Sequence, residues 1–121
     1  MGYGFVYVAR NRSMPGLYKI GSTQGSPTER LKQLSAATGV PCGFDLMAYC
    51  EVDRPQWVES EFHAVFRCVR ENNRREFFRL SKIHQSSLLA TMEDIGISYW
   101  ENSPMCYEEQ ARSLIVEVNI Q

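Results

Sequence analysis

Glu59 and His63 stand four residues apart in the segment Trp57-Val58-Glu59-Ser60-Glu61-Phe62-His63, so on a helix they stack on one face, and Arg67 and Arg70 extend that stripe. The stripe borders an apolar one made by Val58, Phe62 and Val69, which places the Glu59 carboxylate at the rim of the core. A carboxylate there is a hard ligand for a divalent ion such as Mg²⁺, which commonly takes one or two protein carboxylates and keeps its waters. The plainer alternative is a Glu59–His63 surface pair contributing about 0.3–0.5 kcal/mol. Zinc chemistry of the HExxH kind is absent, because no second histidine falls at helical spacing. A second group lies earlier. Lys19 sits in the apolar run Leu17-Tyr18-Lys19-Ile20-Gly21, where an ammonium needs an acidic partner or an anionic ligand, and Gly21 after it permits close backbone approach. Arg30 could present its guanidinium towards the same end, with the fork geometry that suits a phosphate, and Tyr7 lies on the neighbouring strand. Taken singly, Tyr7 reads as core, Lys19 as an edge-strand charge and Arg30 as a solvated helix residue.

These residues need elements to hold them. Phe5-Val6-Tyr7-Val8 and Leu17-Tyr18-Lys19-Ile20 are β-branched and aromatic runs separated by the turn-rich Arg10-Asn11-Arg12-Ser13-Met14-Pro15-Gly16, which together read as a hairpin. Ser26-Pro27-Thr28-Glu29 has the composition of a capping box and starts a helix carrying Leu31 and Leu34, with Ala37 or Thr38 next on the same side, and Gly39 ends it. Residues 44–52 read as a third strand. Asp53 is placed to cap the next helix, with Pro55 in its first turn and Val58, Phe62, Val65, Phe66 and Val69 along its buried side. A short strand over residues 75–80 follows the Glu71-Asn72-Asn73 turn. A helix over residues 81–94 then carries Ile83, Leu88, Met92 and Ile95, stopped by Gly96. The tail reads as an extended stretch at 97–100, a helix begun by Ser103-Pro104 and a strand-like run at 114–120. This order predicts an α+β fold with a small mixed or antiparallel sheet flanked by helices, not a doubly wound one.

The 121 residues suffice for one domain with its own core. The formal charge of −1 argues against a generic nucleic-acid binder, yet it is unevenly spread. Twelve Lys/Arg face eight Asp/Glu through residue 85, whereas Arg112 alone faces six acids from residue 86 onward. A polyanion could bind the first two-thirds through salt-sensitive phosphate contacts; a solvated charged surface is the other reading. No apolar run approaches the roughly 20 residues of a membrane span. The four cysteines show no CxxC spacing, and the opening residues lack a basic-then-apolar leader. Reduced thiols in a cytoplasmic protein are therefore expected.

In order and spacing, Phe5-Val6-Tyr7, Lys19-Ile20-Gly21, Arg30 and Glu59 resemble the GIY-YIG nuclease superfamily, and in particular its bacterial and phage branch, where the second motif reads KIG. Arg30-Leu31-Lys32-Gln33-Leu34, Ala37-Thr38-Gly39-Val40-Pro41, Phe62-His63 and Arg75-Glu76-Phe77-Phe78 add to the resemblance, which covers residues 4–81. It implies a metal-dependent endonuclease, acting on DNA or RNA, with residues 1–82 as catalytic core and residues 83–121 as a helix and acidic extension packed on it. By the same resemblance Tyr7 would take a proton from water or orient it, its pKa lowered by Lys19 and Arg30. Lys19 stands at the second motif's tyrosine position, Arg30 would hold the scissile phosphate, Glu59 would bind a single Mg²⁺ or Mn²⁺, and His63 would assist proton transfer. Glu76 would support these groups from behind or pair with Lys19 or Arg30. Arg67, Arg70 and Arg75 fall in the second basic stretch and would bind substrate, with a homodimer or partner protein adding affinity. A non-catalytic nucleic-acid-binding module of the same fold is the alternative.

Overall fold

The computed structural model describes residues 2–38, 43–71 and 76–102. Two long strands form the hairpin, β1 (Tyr3–Asn11) and β2 (Leu17–Thr23), followed by α1 (Pro27–Thr38), β3 (Phe44–Asp53) and α2 (Pro55–Val65). A single 3-10 turn (Arg67–Val69), β4 (Phe77–Arg79), α3 (Lys82–Ile95) and β5 (Ser98–Glu101) complete it. The strands make one sheet in the order β4-β2-β1-β3-β5, every pairing antiparallel, so the α+β expectation holds and the sheet carries no parallel pair among the described residues.

Alternation along the strands splits the core in two. Val6, Val8, Ile20, Met47, Cys50 and Phe78 face α2 and α3, meeting Val58, Phe62, Phe66, Leu88 and Met92. Tyr7 and Ala9 face the other way and pack with Leu31 of α1, against which Leu34, Phe44, Leu46 and Tyr49 lean. Met47 is the extra residue where the β1–β3 register shifts between Val8 and Ala9. Ser26 accepts from the Glu29 amide at 3.4 Å, as its capping position requires. Ser81 caps α3 in a reciprocal box whose second member is His84.

Three local expectations are corrected. Asp53 ends β3 and does not cap α2; the N-cap is Arg54, held at φ 53°, ψ 64° with its guanidinium 5.3 Å from the Trp57 ring centre. The second helix stops at Val65, and the chain tightens into the 3-10 turn that brings Phe66 into the core. Val58, Phe62 and Phe66, spaced by four, therefore carry the buried side, while Val65 is 69% exposed. Ile83 and Ile95 likewise lie outside, Ile83 at 81% exposure, because Leu88, Leu89 and Met92 already fill the α3 contact. The expected helix stop at Gly39 and the tail elements from Ser103 onward lie outside the described residues.

Candidate active site

The site is built around the Tyr7 hydroxyl. Tyr7 pairs across the hairpin with Gly21, and its phenol lies over that glycine; a Cβ on Gly21 would stand 2.5 Å from the hydroxyl oxygen and 2.7 Å from Cζ. No other residue type leaves room for the ring there. Lys19 lies two residues before Gly21 and so shares Tyr7's face. It is 5% exposed, pairs with Glu76 and lies 5.6 Å from the Phe77 ring centre. The acidic partner that a buried ammonium demands is thus Glu76, delivered by the turn into β4 alongside β2. From α1, exposed Arg30 reaches Tyr7 as a hydrogen-bonding neighbour.

Glu59 and His63 come from α2, on the opposite side of the sheet. The Ser22 hydroxyl donates to Glu59 Oε1 at 2.6 Å. The His63 Nε2 lies 2.8 Å from the Ile20 carbonyl oxygen, an atom that can only accept, so Nε2 carries a proton and donates. That nitrogen is also 3.6 Å from Glu59 Oε2. Arg30 and Glu59 therefore approach β2 from opposite faces, which corrects the expectation that they grip one phosphate and one cation from the same side; the Tyr7 phenol lies on the Arg30 face. Sequence reasoning did not single out Ser22; a hydroxyl directly after Lys19-Ile20-Gly21 was the available signal.

The electrostatics correct one expectation outright. Burial pushes the Tyr7 pKa up to about 12, the nearby Glu76 carboxylate adds to the rise, and Arg30 only partly opposes it. Tyr7 is a neutral phenol at physiological pH, a donor rather than a base. Of the two cations expected to lower that pKa, Arg30 does so and Lys19, paired with Glu76, does not.

The α2 stripe does not continue as expected either. Arg67 opens the 3-10 turn, and Arg70, past its end, holds its guanidinium 5.8 Å from the Phe78 ring centre; both are exposed. Arg75 lies outside the described residues. Among the described residues no three His, Cys, Asp or Glu cluster into a metal cage. Glu59 alone, with water and a substrate phosphate filling the remaining positions, fits the way Mg²⁺ is commonly held and would suit Mn²⁺ too. No helix of the described residues is long and apolar enough to cross a membrane.

Residues 4–95 match the T5orf172 domain. The match runs from β1 through the whole of α3. It corrects the family suggested by the short motifs: the T5orf172 domain is a family distinct from the GIY-YIG nucleases, though related to them. No curated protein and no solved structure matches the chain.

Proposed function

The chain belongs to the T5orf172 domain family, a nuclease-related domain, and we propose that it is a divalent-metal-dependent endonuclease hydrolysing phosphodiester bonds of DNA. The observation that supports this most directly is the Tyr7 phenol seated over Gly21 with the Arg30 guanidinium beside it, while Glu59, held by Ser22 and His63, lies across β2. An exposed guanidinium beside a buried phenol would offer a phosphate two kinds of donor, and the Glu59 carboxylate would hold a metal ion from the α2 side.

In this reading Arg30 grips the scissile phosphate and stabilises the charge that grows on it in the transition state. Tyr7, kept protonated by its burial, orients the attacking water or a phosphate oxygen by donating a hydrogen bond. Glu59, steadied by Ser22, would hold a single Mg²⁺ or Mn²⁺, which would supply Lewis acidity towards the phosphate and water. His63, anchored through Nε2 to Ile20, offers Nδ1 to a proton. Glu76 fixes Lys19 and so the β2–β4 edge beneath the site. Arg67, Arg70 and Arg75 contact phosphates away from the cut, and a second copy or a partner protein adds grip.

Supercoiled plasmid incubated with Mg²⁺, Mn²⁺ or a chelator tests the proposal. Nicking is expected with either metal and not with the chelator, falling about a hundredfold in Arg30→Ala and in Glu59→Gln. A second reading, a nucleic-acid-binding module without cleavage, draws on the neutral Tyr7 and on the lack of three clustered metal-ligating side chains among the described residues. Salt-sensitive DNA binding that survives Glu59→Gln, with no cleavage in either metal, would overturn the first reading in favour of this one.

A further inference from the structure

Tyr7 is the inner end of a row of rings. It pairs across β1 and β3 with Tyr49, and Tyr49 pairs across β3 and β5 with Trp100, so the three side chains stand in register on the face that α1 partly covers. Tyr49 and Trp100 are stacked, with ring centres 5.4 Å apart and planes 21° from parallel. Phe5, on the same face, meets Tyr49 edge-on at 5.4 Å. The row ends at β5, the outer strand of the sheet, where Trp100 is 40% exposed; Tyr3, further along the same face of β1, is 59% exposed. Two strand spacings separate Tyr7 from Trp100, about 10 Å.

We infer that this row is a stacking shelf for nucleobases, and that the chain takes its substrate as unpaired nucleotides next to the cleaved bond. The inference rests on the nuclease reading for the location of that bond. A base inside a duplex has both faces covered by its neighbours, so only an unpaired or extruded base can continue the Tyr49–Trp100 stack. The charges divide accordingly. α1 begins four residues after Thr23, the partner of Phe5, so its N-terminus and Arg30 bring positive charge to the inner end of the row, where a phosphate would lie. On the middle strand the acidic Glu51, paired between Phe5 and Ser98 and joined to the Ser98 hydroxyl at 3.5 Å, flanks the row, where it would repel a phosphate but leaves a neutral base unaffected. Phosphate recognition and base recognition are thus separated along one sheet face.

The test measures binding with chelator present, where no cleavage occurs. The chain has two tryptophans, so Trp57→Phe leaves Trp100 as the sole indole reporter. An oligothymidylate is expected to quench that fluorescence, and a blunt duplex of the same length is not. Trp100→Ala should weaken oligothymidylate binding about tenfold, and Trp100→Phe should restore most of it, in line with about 1–3 kcal/mol for one stacked base. Unchanged oligothymidylate affinity in a folded Trp100→Ala variant overturns the shelf, as does equal quenching by the duplex. Trp100 fluorescence that responds to protein concentration but not to the oligonucleotide also overturns it, assigning the face to a second copy. Because no step depends on metal, intact plasmid nicking beside a failed quench sinks the shelf alone. Quenching without nicking under any metal sinks the nuclease reading alone.

Discussion

The hydroxyl of Tyr7 occupies the space that a side chain at Gly21 would need. A methyl group there would stand 2.5 Å from that oxygen and 2.7 Å from Cζ, well inside van der Waals contact. Gly21→Ala must therefore displace a ring packed against Ala9 and Leu31, and the overpacking should cost about 1–3 kcal/mol, read as a lower urea midpoint with little change in slope. Tyr7→Phe in the same background removes the closest atom and should recover part of that loss. If the two changes simply added, the ring would not be what the methyl group meets.

The buried phenol makes the protein sensitive to alkali. Tyr7 ionises at about 12 in the folded chain and near 10 when unfolded. Between those values the unfolded chain has lost the proton that the folded chain still holds, so stability falls as pH rises, by about 2–3 kcal/mol in all. Below pH 10 both states are protonated and this contribution is fully present. Tyr7→Phe should flatten that part of the profile, measured by denaturant midpoints from pH 9 to 12. Ultraviolet titration of the folded protein should likewise lose one late-ionising tyrosine.

Much of the scaffold was legible because its signals are local. The turn-rich segment between two β-branched runs marked the hairpin, and the Ser26 cap marked the start of α1; the Ser81 cap of α3 emerged only with the structure. What escaped was decided by tertiary contacts. Arg54 takes the α2 cap in a left-handed conformation for which a non-glycine residue gives no sequence warning, and its amide donates to the Gly2 carbonyl just before β1. The site shows the same division. Lysine in an apolar strand announced a partner, but only the pairing of β4 with β2 selected Glu76 over other choices. The Tyr7 pKa could not be anticipated, because burial of the ring outweighs the cation beside it. The short motifs reached the neighbourhood of the right family and stopped there; the distinction lies in the full length of residues 4–95.

Cysteine chemistry offers a check on the two sides of the fold. Cys50 is buried on β3 between β1 and β5, and burial pushes its pKa up to about 11, so almost none is thiolate at neutral pH. Cys68, on the 3-10 turn, is exposed to solvent. In a Cys42→Ser, Cys106→Ser background, iodoacetamide followed by peptide mapping should modify Cys68 at least a hundredfold faster than Cys50. Comparable rates would mean that the sheet opens readily at β3.

The Lys19–Glu76 pair should be unequal in its two halves. Lys19 is buried, whereas Glu76 keeps 43% of its side chain exposed. Removing the acid leaves a buried ammonium without its counter-charge; removing the lysine leaves a carboxylate that water can still reach. Glu76→Gln should therefore lower stability by about 1–2 kcal/mol, discounted for the partial exposure of the acid. Lys19→Met replaces an aliphatic stem with another of similar length beside Phe77 and should cost less. In the double variant the penalty of Glu76→Gln should largely vanish, since no ammonium remains to be compensated. Tyr7 adds an independent signal, because the Glu76 carboxylate helps to hold its pKa up. Glu76→Gln should move the phenol's ionisation to lower pH even where the stability change is small. Denaturant midpoints for the four proteins of the cycle, with the tyrosine titration of each, test both parts. Equal losses from the two single changes would place the ammonium in water and remove the reason for pairing it at all.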